Sequence, residues 1–198
     1  MDTALMNYLI YSSYPVQLQN IVSRSQFMTT TKTHKFNEKL DITYSQYIKD
    51  SMAGEVALER ELERVLGIEK AHTILREWAG KRTVDGLKKY LEDAGIKIHN
   101  FDDFKKHMDK MWSSGHVSKT HTCETTNDSS DRVTYKVTEC IWATMMRELD
   151  AADLGQLTMC DLDFISASIY HPNIKLIREK TLMNGDDCCD FTYVWKKE

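Results

Sequence analysis

The chain has 198 residues, 41% hydrophobic and 28% charged, with a formal net charge of −4; this suits a single globular domain, since about 150 residues already hide roughly 70% of their unfolded surface. The acidic balance and the lack of a dense Lys/Arg block argue against nucleic acid, and no apolar run reaches the ~18 residues of a membrane span. Met1-Asp2-Thr3-Ala4 has neither the basic start nor the apolar middle of a signal peptide, so the expected compartment is cytoplasmic, with all five cysteines present as thiols.

Residues 1–42 are expected to form an N-terminal arm that packs on the main domain or on a second subunit. Met6, Leu9, Ile10, Tyr14 and Val16 mark a short helix or an extended piece interrupted by Pro15. From Thr43 to Trp112 the pattern is helical. Met52, Val56, Leu62, Val65 and Leu66 share roughly one face, with Glu59-Arg60-Glu61 and Glu63-Arg64 mostly opposite. Ala71, Ile74, Leu75 and Trp78 continue at helical spacing, as do Val84, Leu87, Leu91 and Ala94, and Gly95 is a natural C-cap. Asn100 is placed to cap a third helix, with Asp102 and Asp103 in its first turn and Phe104, Met108 and Met111 facing inward.

After Ser113-Ser114-Gly115 the period becomes two. His116 to Glu124 and Val133 to Glu139 are predicted strands, joined by the polar tract Thr125 to Asp131. A short helix follows from about Cys140, with Trp142, Met145, Met146 and Leu149 at helical spacing. Ala151 to Ile169 reads as short helix and turn, broken at Gly155. Ile174 to Leu182 and Cys189 to Trp195 are the last predicted strands, around an Asn184-Gly185 hairpin turn. The expected class is α+β: N-terminal helices followed by an antiparallel sheet of two β-hairpins with a short helical insert. Residues 43–198 would form a single domain, helical over 43–112 and carrying the sheet and the candidate site over 113–198.

Chemistry concentrates in the last third. Alternation puts Ile174, Leu176, Arg178, Lys180 and Leu182 on one face of their strand and Cys189, Phe191, Tyr193 and Trp195 on one face of the other. Arg178 and Cys189 then point to the same side beside aromatic rings, a setting for a small anion held by a guanidinium fork. Alternatively Arg178 is a surface residue paired with Glu179 or Asp190. Cys140, Cys160 and Cys189 each sit at the end of a predicted element. A thiol at a helix N-terminus, as Cys140 would be, can become nucleophilic; each is otherwise a small buried hydrophobe. Asp163, just after Cys160, is either a general base or a helix cap. The cysteine spacings are too wide for a zinc motif, no Cys-x-x-Cys occurs, and His107, His116, His121 and His171 are scattered, so no metal is expected. No phosphate-binding glycine loop, Gly-x-Ser-x-Gly or His-Glu-x-x-His is present.

The order Cys140, Leu154-Gly155, Cys160 with Asp163, Arg178 with Thr181, and Gly185-Asp186 with Cys189-Asp190-Phe191 resembles the L-2-amino-thiazoline-4-carboxylic acid hydrolase family. The closing Gly…Cys…Phe element also looks like the four-vinyl-reductase-type small-molecule-binding domains, in favour of a ligand pocket. The hydrolase resemblance implies opening of a cyclic amidine-like thiazoline carboxylate to a carbamoyl derivative of cysteine, by thiol or water attack on the carbon between nitrogen and sulfur. It implies no organic cofactor. Under it, Cys160, Asp163, Cys140 and Cys189 form the expected catalytic set, and Arg178, Thr181, His171 and Phe191 the expected substrate-binding set, with Arg178 on the ring carboxylate. A non-enzymatic binding module, or a lyase or cyclase on another small substrate, is the alternative. The expected partner is a small molecule with a carboxylate, and self-assembly into a homo-oligomer is left open. Cys188 and the aromatic end Tyr193-Val194-Trp195 depart from the family pattern.

Overall fold

The computed structural model describes residues 41–196, so the arm expected over 1–42 lies almost wholly outside the described residues. Three long helices come first. Helix α1 (Tyr44–Leu66) starts where the Thr43 hydroxyl accepts the Gln46 amide at 3.1 Å. It turns at Gly67, whose φ of 80° favours glycine, into α2 (Ile68–Asp93). Helix α3 (Phe101–Ser113) is capped as expected: the Asn100 side chain accepts the Asp103 amide at 2.9 Å, and Asp102 and Asp103 occupy the first turn.

A single turn, α4 (Val117–Thr120), leads into β1 (His121–Asp128) and β2 (Arg132–Cys140). Then come α5 (Ile141–Glu148), α6 (Ala152–Gly155), a π-helical segment over Gln156–Cys160, α7 (Leu162–Tyr170), β3 (Ile174–Ile177), a 3₁₀ turn over Leu182–Asn184, and β4 (Cys189–Trp195). The four strands form one antiparallel sheet in the order β1-β2-β4-β3. The two hairpins join through β2 and β4, where Tyr135 lies opposite Phe191 and Val137 opposite Cys189.

Two cores result. On one sheet face, Val133, Tyr135, Val137, Ile174, Leu176, Cys189, Phe191 and Tyr193 pack against Phe101, Phe104 and Met108 of α3 and Ala167 of α7. The intervening positions, such as Lys136 and Lys175, leave that face, as period-two alternation requires. The second core joins Ile48, Met52 and Val56 of α1 and Leu75 of α2 to Met145, Met146, Leu154, Leu157 and Met183. Cys140 and Leu182 touch both cores.

Several local expectations are corrected. Glu59, assigned to the charged face, is buried and faces the helical core, whereas Val65 is exposed. Ile74 and Trp78 are also exposed; α2 buries the small residues Ala71, Ala79, Gly80 and Gly86, which allow close approach, and Arg82 stacks on Trp78 at 4.6 Å. Strand β1 begins only at His121, because His116 to Thr120 turn helically. Gly155 does not break its helix. Its backbone is helical, and a Cβ there would lie 2.6 Å from the Met183 thioether, so packing rather than turning demands glycine. The last strand pair is not a two-residue hairpin: β3 stops at Ile177, and Gly185, with φ 95°, closes the 3₁₀ turn instead.

Candidate functional site

The candidate site is built where β2, α5, the π segment, α7 and the loop after β3 meet at the seam of the two cores. Its most constrained member is Arg178. The guanidinium donates to the Asp163 carboxylate at 2.5 Å and to the Cys160 carbonyl at 3.0 Å. Phe164 and Phe191 lie over it at 5.0 and 5.2 Å from their ring centroids. Its side chain is only 2% exposed, while that of Asp163 is 36% exposed. Arg178 is thus neither the surface residue paired with Glu179 or Asp190 nor an open fork; it is buried, and both terminal nitrogens donate inside the protein.

The loop bearing Arg178 is tied down by two carboxylates outside the expected site set, of which Asp190 was expected only as a partner of Arg178. Asp190 accepts the amides of Glu179 and Lys180 at 2.9 and 2.7 Å, and Asp186 accepts that of Thr181 at 2.7 Å. The Gly-Asp…Cys-Asp-Phe order therefore encodes a loop clamp. For Asp186, next to Gly185, the signal was present, because an Asp beside a glycine turn is a common backbone acceptor; Asp190, five residues from that glycine, carried no such signal. Thr181 turns its hydroxyl to the Met183 amide at 3.0 Å, with the Cys160 sulfur at 4.0 Å.

Three thiols gather round this pair. Cys140 is the N-cap residue of α5, where the amides of Trp142 and Ala143 favour its thiolate. Burial outweighs that, and its pKa is pushed up to about 11. Burial, with the Asp163 charge adding to it, pushes Cys160 up to about 12. Cys189 is also raised by burial, although its sulfur receives the Leu182 amide at 3.2 Å. Asp163, although its side chain keeps 36% exposure, is raised by desolvation among the surrounding packed side chains to about 6, with Arg178 opposing. The structure thus brings together Cys140, Cys160, Asp163, Arg178, Thr181, Cys189 and Phe191. It does not bring His171 there: that ring stacks on Trp195 at 4.5 Å, at the far end of β4 from Cys189, and receives the Asn173 amide.

A cleft of about 950 Å³ opens beside the cluster between α4, the ends of β1 and β2, and α5. Of the three clustered thiols, Cys140 lines it. Among the described residues, Glu63, His72 and Asp153 are spaced to hold a metal ion, but Arg60 already bridges Glu63 and Asp153 at 2.9 and 2.6 Å. No helix among the described residues is long and apolar enough to cross a membrane.

Two solved structures share 11% identity with the chain. One is the phenol-responsive sensory domain of the transcription activator PoxR with phenol, matched over 80% of this chain and 77% of that one at a TM-score of 0.48. The other is a trafficking protein particle complex subunit 3 from Naegleria fowleri covalently bound to palmitic acid, over 77% and 97% at 0.45. No curated protein matches. The sequence model of the L-2-amino-thiazoline-4-carboxylic acid hydrolase family matches residues 45–193, helices and sheet alike, and the chain belongs to that family.

Proposed function

We propose that the protein hydrolyses a small cyclic amidine carboxylate of the 2-amino-thiazoline-4-carboxylate type, with Asp163 as general base and water as nucleophile. One contrast carries the choice of water over thiol. Cys140 and Cys160 are pushed up to about 11 and about 12, whereas Asp163 titrates at about 6. At neutral pH a thiol with a pKa near 11 is ionised in roughly one molecule in ten thousand, while the carboxyl is mostly a carboxylate. In this reading Asp163 takes one proton from water as the oxygen adds to the carbon between nitrogen and sulfur; the ring nitrogen takes the electron pair of the carbon–nitrogen double bond and then the remaining hydroxyl proton, leaving the oxygen as the carbamoyl carbonyl. The ring carbon–sulfur bond then breaks, the sulfur leaves as thiolate, and the proton returned from Asp163 gives a free thiol and a carbamoyl group. Arg178 is a positioning residue that holds Asp163 in place and favours its charged form. Cys160, Cys189 and Phe191 pack round the pair behind Cys140, the thiol that lines the cleft.

The test is incubation with the thiazoline carboxylate in ¹⁸O-labelled water, followed by mass spectrometry. The expected product is one labelled water heavier. Asp163→Asn should lower turnover by about a hundredfold or more, in the range general-base catalysis supplies, whereas Cys160→Ala and Cys140→Ala should stay within about tenfold of the parent. Loss of turnover in a cysteine variant that keeps its fold would favour the covalent route. Binding with no mass gain would leave a ligand-binding module.

A further inference from the structure

If a carboxylate substrate is bound, Arg178 is poorly placed to receive it, because its side chain is only 2% exposed, it does not line the cleft, and its charge is already met by Asp163. The cleft supplies another cation. It is lined by Lys119 and Arg147 and by two acids, Glu139 and Glu148. Both acids are satisfied: Glu148 pairs with Lys49 at 2.7 Å, and Glu139 accepts the Thr122 hydroxyl. Lys119 and Arg147 enter no ion pair among the described residues; with Lys49 meeting Glu148, the cleft and its edge carry three cations against two carboxylates.

Arg147 is also in the right direction from the thiols. Ala143 and Arg147, at i and i+4, share one face of α5, and Cys140 caps the start of the helix; all three line the cleft. Two turns separate Cys140 from Arg147, a rise of ~10.5 Å. Long helical side chains lean toward the N-terminus and shorten that gap, and the small Ala143 leaves the intervening wall low. The guanidinium donates one N–H to the Leu182 carbonyl at 3.2 Å. The amide of that same residue donates to the Cys189 sulfur at 3.2 Å. Arg147 therefore stands one residue away from the thiol cluster, with donors left over.

We propose that the cleft over α5 is the site where a small carboxylate ligand is received, with Arg147 holding its carboxylate and its reactive end directed at Cys140 and the cluster behind it. The substrate class rests on the hydrolase reading; the site and its preference for anions do not. Arg147 is then the specificity-determining residue, and Lys119 adds charge at the rim.

Alkylation of the full chain tests this without turnover. The protein is treated at about pH 8.5 with iodoacetate or iodoacetamide, reagents of nearly one size that differ in charge, and each cysteine is followed by peptide mass spectrometry. Cys140 is expected to react ahead of Cys160 and Cys189. Its iodoacetate-to-iodoacetamide ratio should exceed that of Cys123 on β1, and should fall roughly tenfold in Arg147→Ala, less in Arg147→Lys, and with added salt. A smaller fall is expected in Lys119→Ala. An unchanged ratio in Arg147→Ala, or Cys160 or Cys189 reacting first, overturns the proposal. In the hydrolase assay Arg147→Ala should raise KM with little change in kcat. A parent protein inert toward the thiazoline would defeat the proposed reaction while leaving the anion preference at Cys140 to be read by itself.

Discussion

Asp163 and Arg178 behave as one unit, and the pH response of the proposed reaction follows from their coupling. Burial raises the carboxyl to about 6 and the guanidinium pulls the other way. A base works only when ionised, so kcat/KM should rise with pH along a limb centred near 6 and be lost below it. Removing the guanidinium removes the influence that lowers this pKa. In Arg178→Gln the limb should therefore move to higher pH, in addition to any loss of rate. A limb that moves down, or stays in place, would mean that Asp163 is not the titrating base. The linkage to folding has the same origin. The folded carboxyl holds its proton more tightly than a free one at 3.8, so its contribution to stability declines as pH rises through the interval between about 4 and about 6.

The elements that place this pair were unequally legible in the sequence. Three helices, their caps at Asn100 and Gly95, and the β character of the second half follow from periodicity and turn chemistry, and the structure has them. The π segment over Gln156–Cys160 was not legible, because no local preference separates a π turn from an α turn; it is fixed by what packs on either side. It positions the Cys160 carbonyl that Arg178 uses. The β3 to β4 connection was misread for a related reason. Asn184-Gly185 is good hairpin chemistry, but the Asp186 and Asp190 bonds to the loop amides hold a longer path. Packing around the π segment can be tested at Gly155. A Cβ there would lie 2.6 Å from Met183 and 3.0 Å from Met146, both buried. Gly155→Ala should therefore destabilise by about 1–3 kcal/mol through overpacking. The effect should shrink in a Met183→Ala background, where the crowding atoms are gone. Urea unfolding of the four proteins of this cycle measures the coupling, and purely additive effects would place the strain elsewhere.

With two cores meeting at Cys140 and Leu182, the stability of the helical half bears directly on the site. That half contains an unusual group. Glu59 lies on α1 at 7% exposure, with Oε2 making no hydrogen bond among the described residues. Burial raises its pKa to about 7, Glu55 and Glu63 add to this, and Arg60 and Arg82 oppose it. The sign of its linkage is the reverse of that of a salt-bridged acid. The folded state binds the proton more tightly than an unfolded chain at 4.5, so protonated Glu59 is tolerated at low pH. Its ionisation between about 4.5 and about 7 then weakens the fold as pH rises. At ~1.4 kcal/mol for each tenfold step, that gap amounts to about 3 kcal/mol. Glu61, Glu63, Asp153 and Asp187, held below the usual carboxylate range by their partners, act in the opposite direction. Only a difference between variant and parent therefore isolates Glu59. Glu59→Gln, which keeps the shape and removes the charge, should match the parent within about 0.5 kcal/mol at pH ~4.5 and exceed it by about 1–3 kcal/mol at pH ~8. Urea midpoints at the two pH values decide it. A variant less stable than its parent at the higher pH would show that Glu59 is held as a paired carboxylate by Arg60 and Arg82, and that the α1–α2 contact is built on that charge.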